Sequence, residues 1–417
     1  MSLETKPATR GLRAPTFFFL QTTALLSAVG MGLALPVLPF VVAQHVSDPA
    51  SVARYVGWLA ASYSLCAFLA APVLGALSDA VGRRPVLLLC LLGSAAGYAL
   101  FGFAHALPLL FLGRIVDGIT AGNRGALFAY LGDTTPHEER SRYFGRIGAV
   151  SGAGLILGPA IGGLAVKFGG TSAPFYCAAG ITFLNVVWGY FFLPESLDAR
   201  DRVTNMTWGK LNPLSQLAGL FDLKYLRPLL IVGLLFTSGF VALSSTFALL
   251  AKDRLGWGAD TVSFIFVVIG VTDIVVQGVL LGRLNDALGE ARLLALGLSM
   301  VLVAFIAIAC VAYWPNGTLL MVAFVGFAAG EGLFTASYGG LVSQLAGPSA
   351  QGRVQGGVQA LQEVATTLVP LIATQLYARV SPGAPFWGAI ATTLAAGVAF
   401  RAHAGVKREP ESAIFPR

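Results

Sequence analysis

Residues 145–164 read GRIGAVSGAGLILGPAIGGL, an apolar stretch of membrane-spanning length whose glycines recur at helical spacing. Gly154, Gly158 and Gly162 stand four apart, so one face of a helix built on them carries no side chains and lets a neighbouring backbone approach. Gly145 opens the stretch and Gly163 widens the bare face. Pro159 lies within it, removes a backbone donor and predicts a kink. The stretch reads as a transmembrane helix made for close contact.

Composition points the same way. Hydrophobic residues make up 56% of the chain and charged residues 11%, with a mean hydropathy of +0.76, whereas soluble domains carry about 25% charged residues. Cys66, Cys90, Cys177 and Cys310 all fall in apolar segments without close spacing, which indicates neither a disulfide framework nor a zinc site. The net charge of +7 does not mark a nucleic-acid partner, because Lys and Arg sit between apolar segments and not along one face.

A requirement of roughly 20 mostly apolar residues per span gives twelve candidates: 16–43, 55–78, 85–104, 107–131, 144–168, 172–193, 225–251, 260–284, 291–313, 317–343, 354–380 and 383–404. The first is too long for a signal-peptide core and is read as retained. Lys6, Arg10 and Arg13, the Arg83-Arg84 pair, Arg140, Arg142 and Arg146, the basic residues of 200–227, and Arg401, Lys407 and Arg408 all fall on one side. The other side holds Arg54, Lys167, Lys252, Arg254 and Arg379. By the positive-inside rule both termini are cytoplasmic.

The polar stretch 194–224 separates six spans from six, giving an N-terminal bundle (1–193), a cytoplasmic linker (194–224) and a C-terminal bundle (225–417). Leu214, Leu217, Leu220 and Phe221 are at helical spacing, which suits an amphipathic helix on the membrane surface. The halves echo one another. GALSDAVGRR at 75–84 corresponds to GRLNDALGEAR at 282–292, and Gly145-Arg146 to Gly352-Arg353, with a common offset of 207 residues. An internal parallel repeat of six spans places a substrate path between the halves, near the bilayer midplane.

With GMGLALPVLP at 30–39, GALSDAVGRRPVLL at 75–88, LGRIVDGITAG at 112–122, the glycine-proline helix and QGRVQGGVQAL at 351–361, the chain resembles the major facilitator superfamily. Within it the chain is most similar to the tetracycline/proton antiporter group of drug exporters. The resemblance covers most of the chain. It implies an all-α integral membrane fold of twelve helices in two pseudo-symmetric six-helix bundles. It also implies secondary active transport: a proton-coupled antiporter exporting a small amphiphilic organic compound or drug, working as a monomer in the bacterial inner membrane. The motif of Gly145, Gly154, Gly158, Pro159, Gly162 and Gly163 is the one that group associates with antiport. The alternative is a proton-coupled importer or a facilitator of an organic anion.

In the stretch from Gly75 through Asp79 to Gly82, Arg83 and Arg84, glycine permits tight packing and a sharp turn, while Asp79 can pair with cations or cap a helix. This suits a cytoplasmic latch; the alternative is a role in topology and the turn alone. The family pattern has a basic residue immediately after the aspartate, and here Ala80 stands there. The second copy keeps Gly282, Asp286 and Gly289 without the paired arginines and reads as structural.

Arg114 and Asp117 are three apart on the fourth span and share a helix face. An ionisable group in the membrane costs about 2.5–3.5 kcal/mol on insertion scales unless paired or wet, so a mutual salt bridge is expected, serving either proton coupling or fixed structure. The resemblance makes Arg114 the family's fourth-span arginine, while Asp117 has no counterpart in the exporter pattern. Arg124, further along the span, suits an anionic substrate group or carboxylate, or simply the pore wall.

Asp273, Glu331 and Glu363 are carboxylates inside apolar spans, with Gln277, Gln359 and Gln362 close by in sequence. They imply a partly hydrated cavity, as proton or substrate sites or as satisfied interior acids. Gln21, Asn185 and Tyr338 are further cavity or interhelical groups. Ser27 stands where the tetracycline exporters' first-span acid aligns, so the resemblance does not fix the substrate. No Gly-Lys-Ser/Thr element exists for nucleotide, and the four histidines at 45, 105, 137 and 403 are scattered, so no metal site is indicated. No clustered nucleophile or acid-base group suggests an enzyme. The expected partners are lipid, protons and a small molecule, with no cofactor beyond the proton gradient.

Overall fold

The computed structural model describes residues 14–34, 36–135, 139–198, 200, 202 and 226–405, and every regular element among them is helical. The elements are α1 (Ala14–Ala34), α2 (Leu38–Ala43), α3 (Pro49–Val81), α4 (Arg83–Gly102), α5 (Leu107–Ile119), α6 (Asn123–Thr134), α7 (Arg140–Gly169) and α8 (Ala173–Phe192). After the expected linker come α9 (Arg227–Leu255), α10 (Ala259–Val275), a π-helical turn (Val276–Leu280), α11 (Leu281–Leu288), α12 (Glu290–Tyr313), α13 (Gly317–Arg379) and α14 (Ala384–Gly405). Nine helices among the described residues are long and apolar enough to cross a membrane. Most of 194–224, including Leu214, Leu217, Leu220 and Phe221, lies outside the described residues.

Five expected spans differ from the observed helices. The span 16–43 is split into α1 and α2; Pro36, which cannot donate a backbone hydrogen bond, lies between them. The span 107–131 is split into α5 and α6 around Thr120. The Thr120 hydroxyl donates to the carbonyl oxygens of Val116 (2.8 Å) and Asp117 (3.3 Å), a pattern that bends helices. The span 260–284 carries the π turn Val276–Leu280 before α11. Spans 317–343 and 354–380 form the single 63-residue element α13. Straight, it would measure about 95 Å. Yet Trp257 packs where a Cβ on Gly317 would sit, 2.9 Å away, and the Tyr377 hydroxyl donates to Asp253 Oδ2 at 3.0 Å. Both ends of α13 therefore lie beside the end of α9, and the chain doubles back within the element.

The same reasoning orders the rest. Gln44 donates to Thr171 Oγ1 (2.6 Å) and His45 Nε2 lies 3.3 Å from the Ala104 carbonyl oxygen, so the connections after α2, α4 and α7 share one end. At the opposite end Arg83, Asp133 and Glu195 meet in the N-terminal half, and Glu290 meets Gln344 in the C-terminal half. Gly82 and Gly289, related by the 207-residue offset, each join two helices with positive φ, +123° and +75°. A side chain at either would be strained, which fits the sequence repeat.

Glycine decides the closest helix contacts. On α7, a Cβ at Gly154 would stand 2.6 Å from the Leu25 carbonyl oxygen, and one at Gly158 would stand 2.6 Å from that of Val29. Gly162 lies against Leu33, and Gly32 of α1 leaves room for the Pro159 ring. The bare face thus meets α1 of the same half. Gly163 alone turns to the other half, where Ser263 Cβ of α10 would be 3.0 Å away. Gly145 touches nothing within 4 Å, so it has no part in that seam. Helix α7 runs unbroken through Pro159.

The halves meet along α3 with α13 and α7 with α10. The glycine contacts that mark these seams, Gly57 on Thr374 and Pro370, Gly163 on Ser263 and Gly270 on Ile156, lie in the middle of the helices or towards the end bearing loops 44–48 and 256–258. Towards the other end Gly75, Gly145, Gly148 and Gly152 face open space. At that end no glycine contact between the halves is seen among the described residues.

Gly158→Leu should overpack the α1–α7 seam at a cost of about 1–3 kcal/mol, lowering the thermal midpoint of the purified protein. A midpoint equal to that of the parent would show that this face is not packed.

Candidate functional site

The fourth-span charges do not pair with each other. Among the described residues no ion pair joins Arg114 to Asp117 within 4 Å, which corrects the expected salt bridge. The Arg114 guanidinium instead lies over the rings of Tyr63 on α3 (5.5 Å) and Phe101 on α4 (5.4 Å), where a desolvated cation is stabilised by the ring quadrupoles. Its Nε is buried with no hydrogen-bond partner.

Asp117 is 5% exposed. Ser94 and Tyr98 of α4 lie close to its carboxyl. Glycine makes this geometry possible: a Cβ on Gly97 would sit 2.7 Å from Asp117 Cβ and 2.8 Å from the Gly113 carbonyl oxygen. Gly118 approaches the Tyr63 carbonyl oxygen in the same way, at 2.6 Å. Helices α3, α4 and α5 thereby hold an acid and a base on neighbouring turns, each engaged by different groups.

A second pair of acids meets in the C-terminal half. The carboxyls of Asp273 on α10 and Glu331 on α13 lie within hydrogen-bonding reach of each other, and Asp273 also interacts with Gln277. Thr335 donates to Glu331 Oε1 at 2.8 Å, while Asp273 Oδ1 has no hydrogen-bond partner among the described residues. Gly332 leaves the space: a Cβ there would lie 3.3 Å from Asp273 Oδ1 and from Gln277 Nε2. Gln277 lines a cavity of about 410 Å³ with Ser337, Leu281 and Ala336. A neighbouring cavity of about 640 Å³ reaches Glu290, Arg292 and Gln344. Both lie towards the end that bears the turn at Gly289.

Glu363 lies on the later limb of α13. Its Oε2 accepts from Thr366 at 3.2 Å, while Gln359 and Gln362 are exposed on the same limb of α13. Gln21 is half-buried on α1. Thr23 donates to Asn185 Oδ1 at 3.2 Å, tying α1 to α8, and Asn123 donates to Ser27 Oγ at 3.2 Å, tying α6 to α1. The Arg124 side chain lies outside the described residues.

The expected latch is a network inside the N-terminal half. Arg83 pairs with Asp79 of its own turn and donates from Nε to Asp133 Oδ2 at 2.9 Å. Its backbone amide donates to Glu195 Oε1 at 2.8 Å, and that of Arg84 to Glu195 Oε2 at 3.3 Å. Glu195 thus caps the positive end of α4. Arg84 reaches the Tyr190 carbonyl oxygen. Among the described residues no ion pair from this cluster crosses to the other half. Asp133 and Glu195 escaped sequence reading because each lies at the end of a different span. Tyr63, Ser94 and Phe101 were missed because single polar or aromatic residues in apolar spans carry no linear signal.

The profile of the family described as Major Facilitator Superfamily matches residues 21–356 and 229–416. The tetracycline resistance protein, class C, of Escherichia coli is 33% identical over 384 residues, covering 90% of this chain and 92% of its own. Multidrug resistance protein 2 of Bacillus subtilis is 28% identical over 67% of this chain and 69% of its own. Among solved structures the human organic anion transporter MFSD10 (TETRAN) superposes with a TM-score of 0.70 at 23% identity, covering 95% of this chain and 100% of that one.

Arg83 is only 12% exposed, against 24% for Asp133 and 47% for Asp79. Exposed pairs contribute about 0–1 kcal/mol, so Asp133→Asn should lower the thermal midpoint more than Asp79→Asn. The reverse order would mean that Asp79 carries the pairing.

Proposed function

The chain belongs to the major facilitator superfamily, and from that premise we propose that it is a proton-coupled antiporter expelling a small amphiphilic organic compound by alternating access. It is an integral membrane transporter and not an enzyme. The reading places twelve crossings in two six-helix bundles joined by a cytoplasmic linker, both termini in the cytoplasm of a bacterial cell, and the protein at work as a monomer. The end bearing Gly82 and Gly289 is then cytoplasmic.

The observation that carries the coupling is the separation of Asp117 from Arg114. A buried carboxylate without a cation costs several kcal/mol, and a proton on Asp117 removes that cost while Arg114 rests on Tyr63 and Phe101. When the proton leaves, the carboxylate recruits Arg114 across one turn of α5, breaking the ring contacts that join α5 to α3 and α4. Occupancy by a proton is thereby linked to helix packing. This needs no cofactor, since the pH gradient supplies the free energy. Glu363, Gln359, Gln362, Gln21 and Arg124 are assigned to the wall of the path. The second reading, a facilitator or importer of an organic anion, draws on the structural likeness to the human organic anion transporter.

The test is accumulation in proteoliposomes under an imposed pH gradient, with tetracycline and a lipophilic dye as probes. The parent should concentrate a probe against its gradient. Asp117→Asn, which mimics the protonated acid, should lose at least about tenfold in that accumulation while keeping downhill counterflow. Full accumulation by Asp117→Asn removes the coupling from this residue, and transport indifferent to the pH gradient makes the protein a facilitator.

A further inference from the structure

The first turn of α12 is an open counterpart of the first turn of α4. In the N-terminal half Glu195, three residues beyond α8, fills the space that a Cβ on Gly82 would need. Its Oε1 accepts from the amides of Arg83, Ser196 and Leu197 at 2.8, 3.0 and 3.2 Å. Tyr130 holds the same segment by donating to the Pro194 carbonyl oxygen at 2.9 Å. In the C-terminal half a Cβ on Gly289, the repeat partner of Gly82, would meet nothing within 4 Å. Among the described residues no acceptor meets the amides of Glu290, Ala291 and Arg292.

The unfilled space is the cavity of about 640 Å³ walled by Gly289, Ala291 and Arg292. It shares Asn285 and Glu290 with the cavity of about 410 Å³ that reaches Ser337. Ser337 is the repeat partner of Tyr130, is 3% exposed, and has a hydroxyl without a hydrogen-bond partner among the described residues. Buried polar groups are ordinarily satisfied. The cleft therefore presents amide donors at one end and a buried hydroxyl at the other, where the first half presents the same two positions already engaged by 194–195.

The sequence supplies an occupant. Ala173-Pro174-Phe175 opens α8, and Ala384-Pro385-Phe386 opens α14. Pro194-Glu195-Ser196 follows α8, and Pro410-Glu411-Ser412 follows α14. Both the helix that leads to the capping carboxylate and the tripeptide that bears it are thus repeated. Gly383 lies against the Tyr313 ring, so α14 begins where α12 ends, and the two helices pack together. Their 22 and 24 residues span about 33 and 36 Å at 1.5 Å per residue, which brings the end of α14 level with the first turn of α12. The six residues from Gly405 to Glu411 reach up to about 20 Å.

We propose that the C-terminal segment of this chain docks in the cleft between α11, α12 and α13, with the Glu411 carboxylate on the first-turn amides of α12 as Glu195 stands on those of α4. Charge favours the pairing. The start of α12 carries the positive pole of the helix dipole, and Arg292 lines the cleft. The Glu290 carboxylate in the same wall is engaged by Gln344 at 3.0 Å. It lies against Gly340, the repeat partner of Asp133, and there offers Ser412 the acceptor that Asp133 gives Ser196 at 3.2 Å. Docking ties the end of α14 to the α11–α12 turn, so each half is closed at this end by the chain that leaves it. The contact does not depend on the direction of transport.

Proximity is read by oxidative cross-linking of the full-length purified protein, with the linked peptides identified by mass spectrometry. Val81 is the repeat partner of Leu288, which lines the open cleft, whereas the cleft beside Val81 already holds Glu195. Leu288→Cys with Ser412→Cys should link at least about tenfold faster than Val81→Cys with Ser412→Cys, because docking raises the local concentration of the tethered segment. Adding Glu411→Gln should slow the first pair about threefold by removing the charge at the helix end. Hydrogen exchange gives a second reading that needs no cysteine, and so decides the matter if Leu288→Cys fails to fold. The amides of Glu290, Ala291 and Arg292 should be protected in the parent and exchange faster in Glu411→Gln. Equal linking of the two pairs, a rate indifferent to Glu411→Gln, or amides unprotected in the parent overturns the docking. Protection that persists in Glu411→Gln overturns it as well and assigns the cleft to another occupant, such as a phospholipid headgroup.

Discussion

Close approach of one backbone to another at glycine is the interaction on which this structure depends. In a bilayer, lipid tails are as apolar as leucine, so helices gain little from burying hydrocarbon and associate through packing and interhelical hydrogen bonds. The seam between α1 and α7 is built on Gly154, Gly158 and Gly32, and the seam between α4 and α5 on Gly97 and Gly113. Between α12 and α13, a Cβ on Gly297 would lie 2.6 Å from the Gly330 carbonyl oxygen. Each contact brings helix axes near enough for side chains on either side of the glycine to meet.

Those approaches place the charges. Asp117 reaches Ser94 because Gly97 and Gly113 let α5 lie against α4, and Asp273 meets Glu331 beside Gly332. The N-terminal half separates an acid from its base with aromatic rings, while the C-terminal half presses two acids together beside a cavity. In the proposed mechanism a protonated and a deprotonated form of Asp117 favour different packing, which is what an alternating-access carrier needs from its buried groups. The Arg83–Asp133–Glu195 cluster is different in kind: it ties α3, α4, the end of α6 and the segment after α8 into one block.

The contrast between the two ends of the molecule follows from the same rule. Near loops 44–48 and 256–258 the halves touch through Gly57 and Gly163, whereas Gly75, Gly145 and Gly148 of the same helices face open space at the other end. The seam of Gly154 and Gly158 stays inside one half, while Gly163 takes part in the contact between the halves.

The membrane class, the approximate spans, the glycine face of α7, the internal repeat and the intramembrane acids were all legible in the sequence, because apolar length, glycine spacing and a charge in an apolar run are properties of consecutive residues. Helix breaks were less so: Pro36 was visible, but the Thr120 back-bond and the π turn at Val276–Leu280 depend on backbone geometry that residue type alone does not specify. Partners were least legible. Sequence proximity suggested that Arg114 would pair with Asp117. Tertiary structure gave Arg114 to Tyr63 and Phe101, Asp117 to Ser94, and Arg83 to Asp133. It also brought Asp273 to Glu331, 58 residues away. A sequence fixes which groups must find a partner inside the membrane; only the packing of helices distant along the chain decides which partner is within reach.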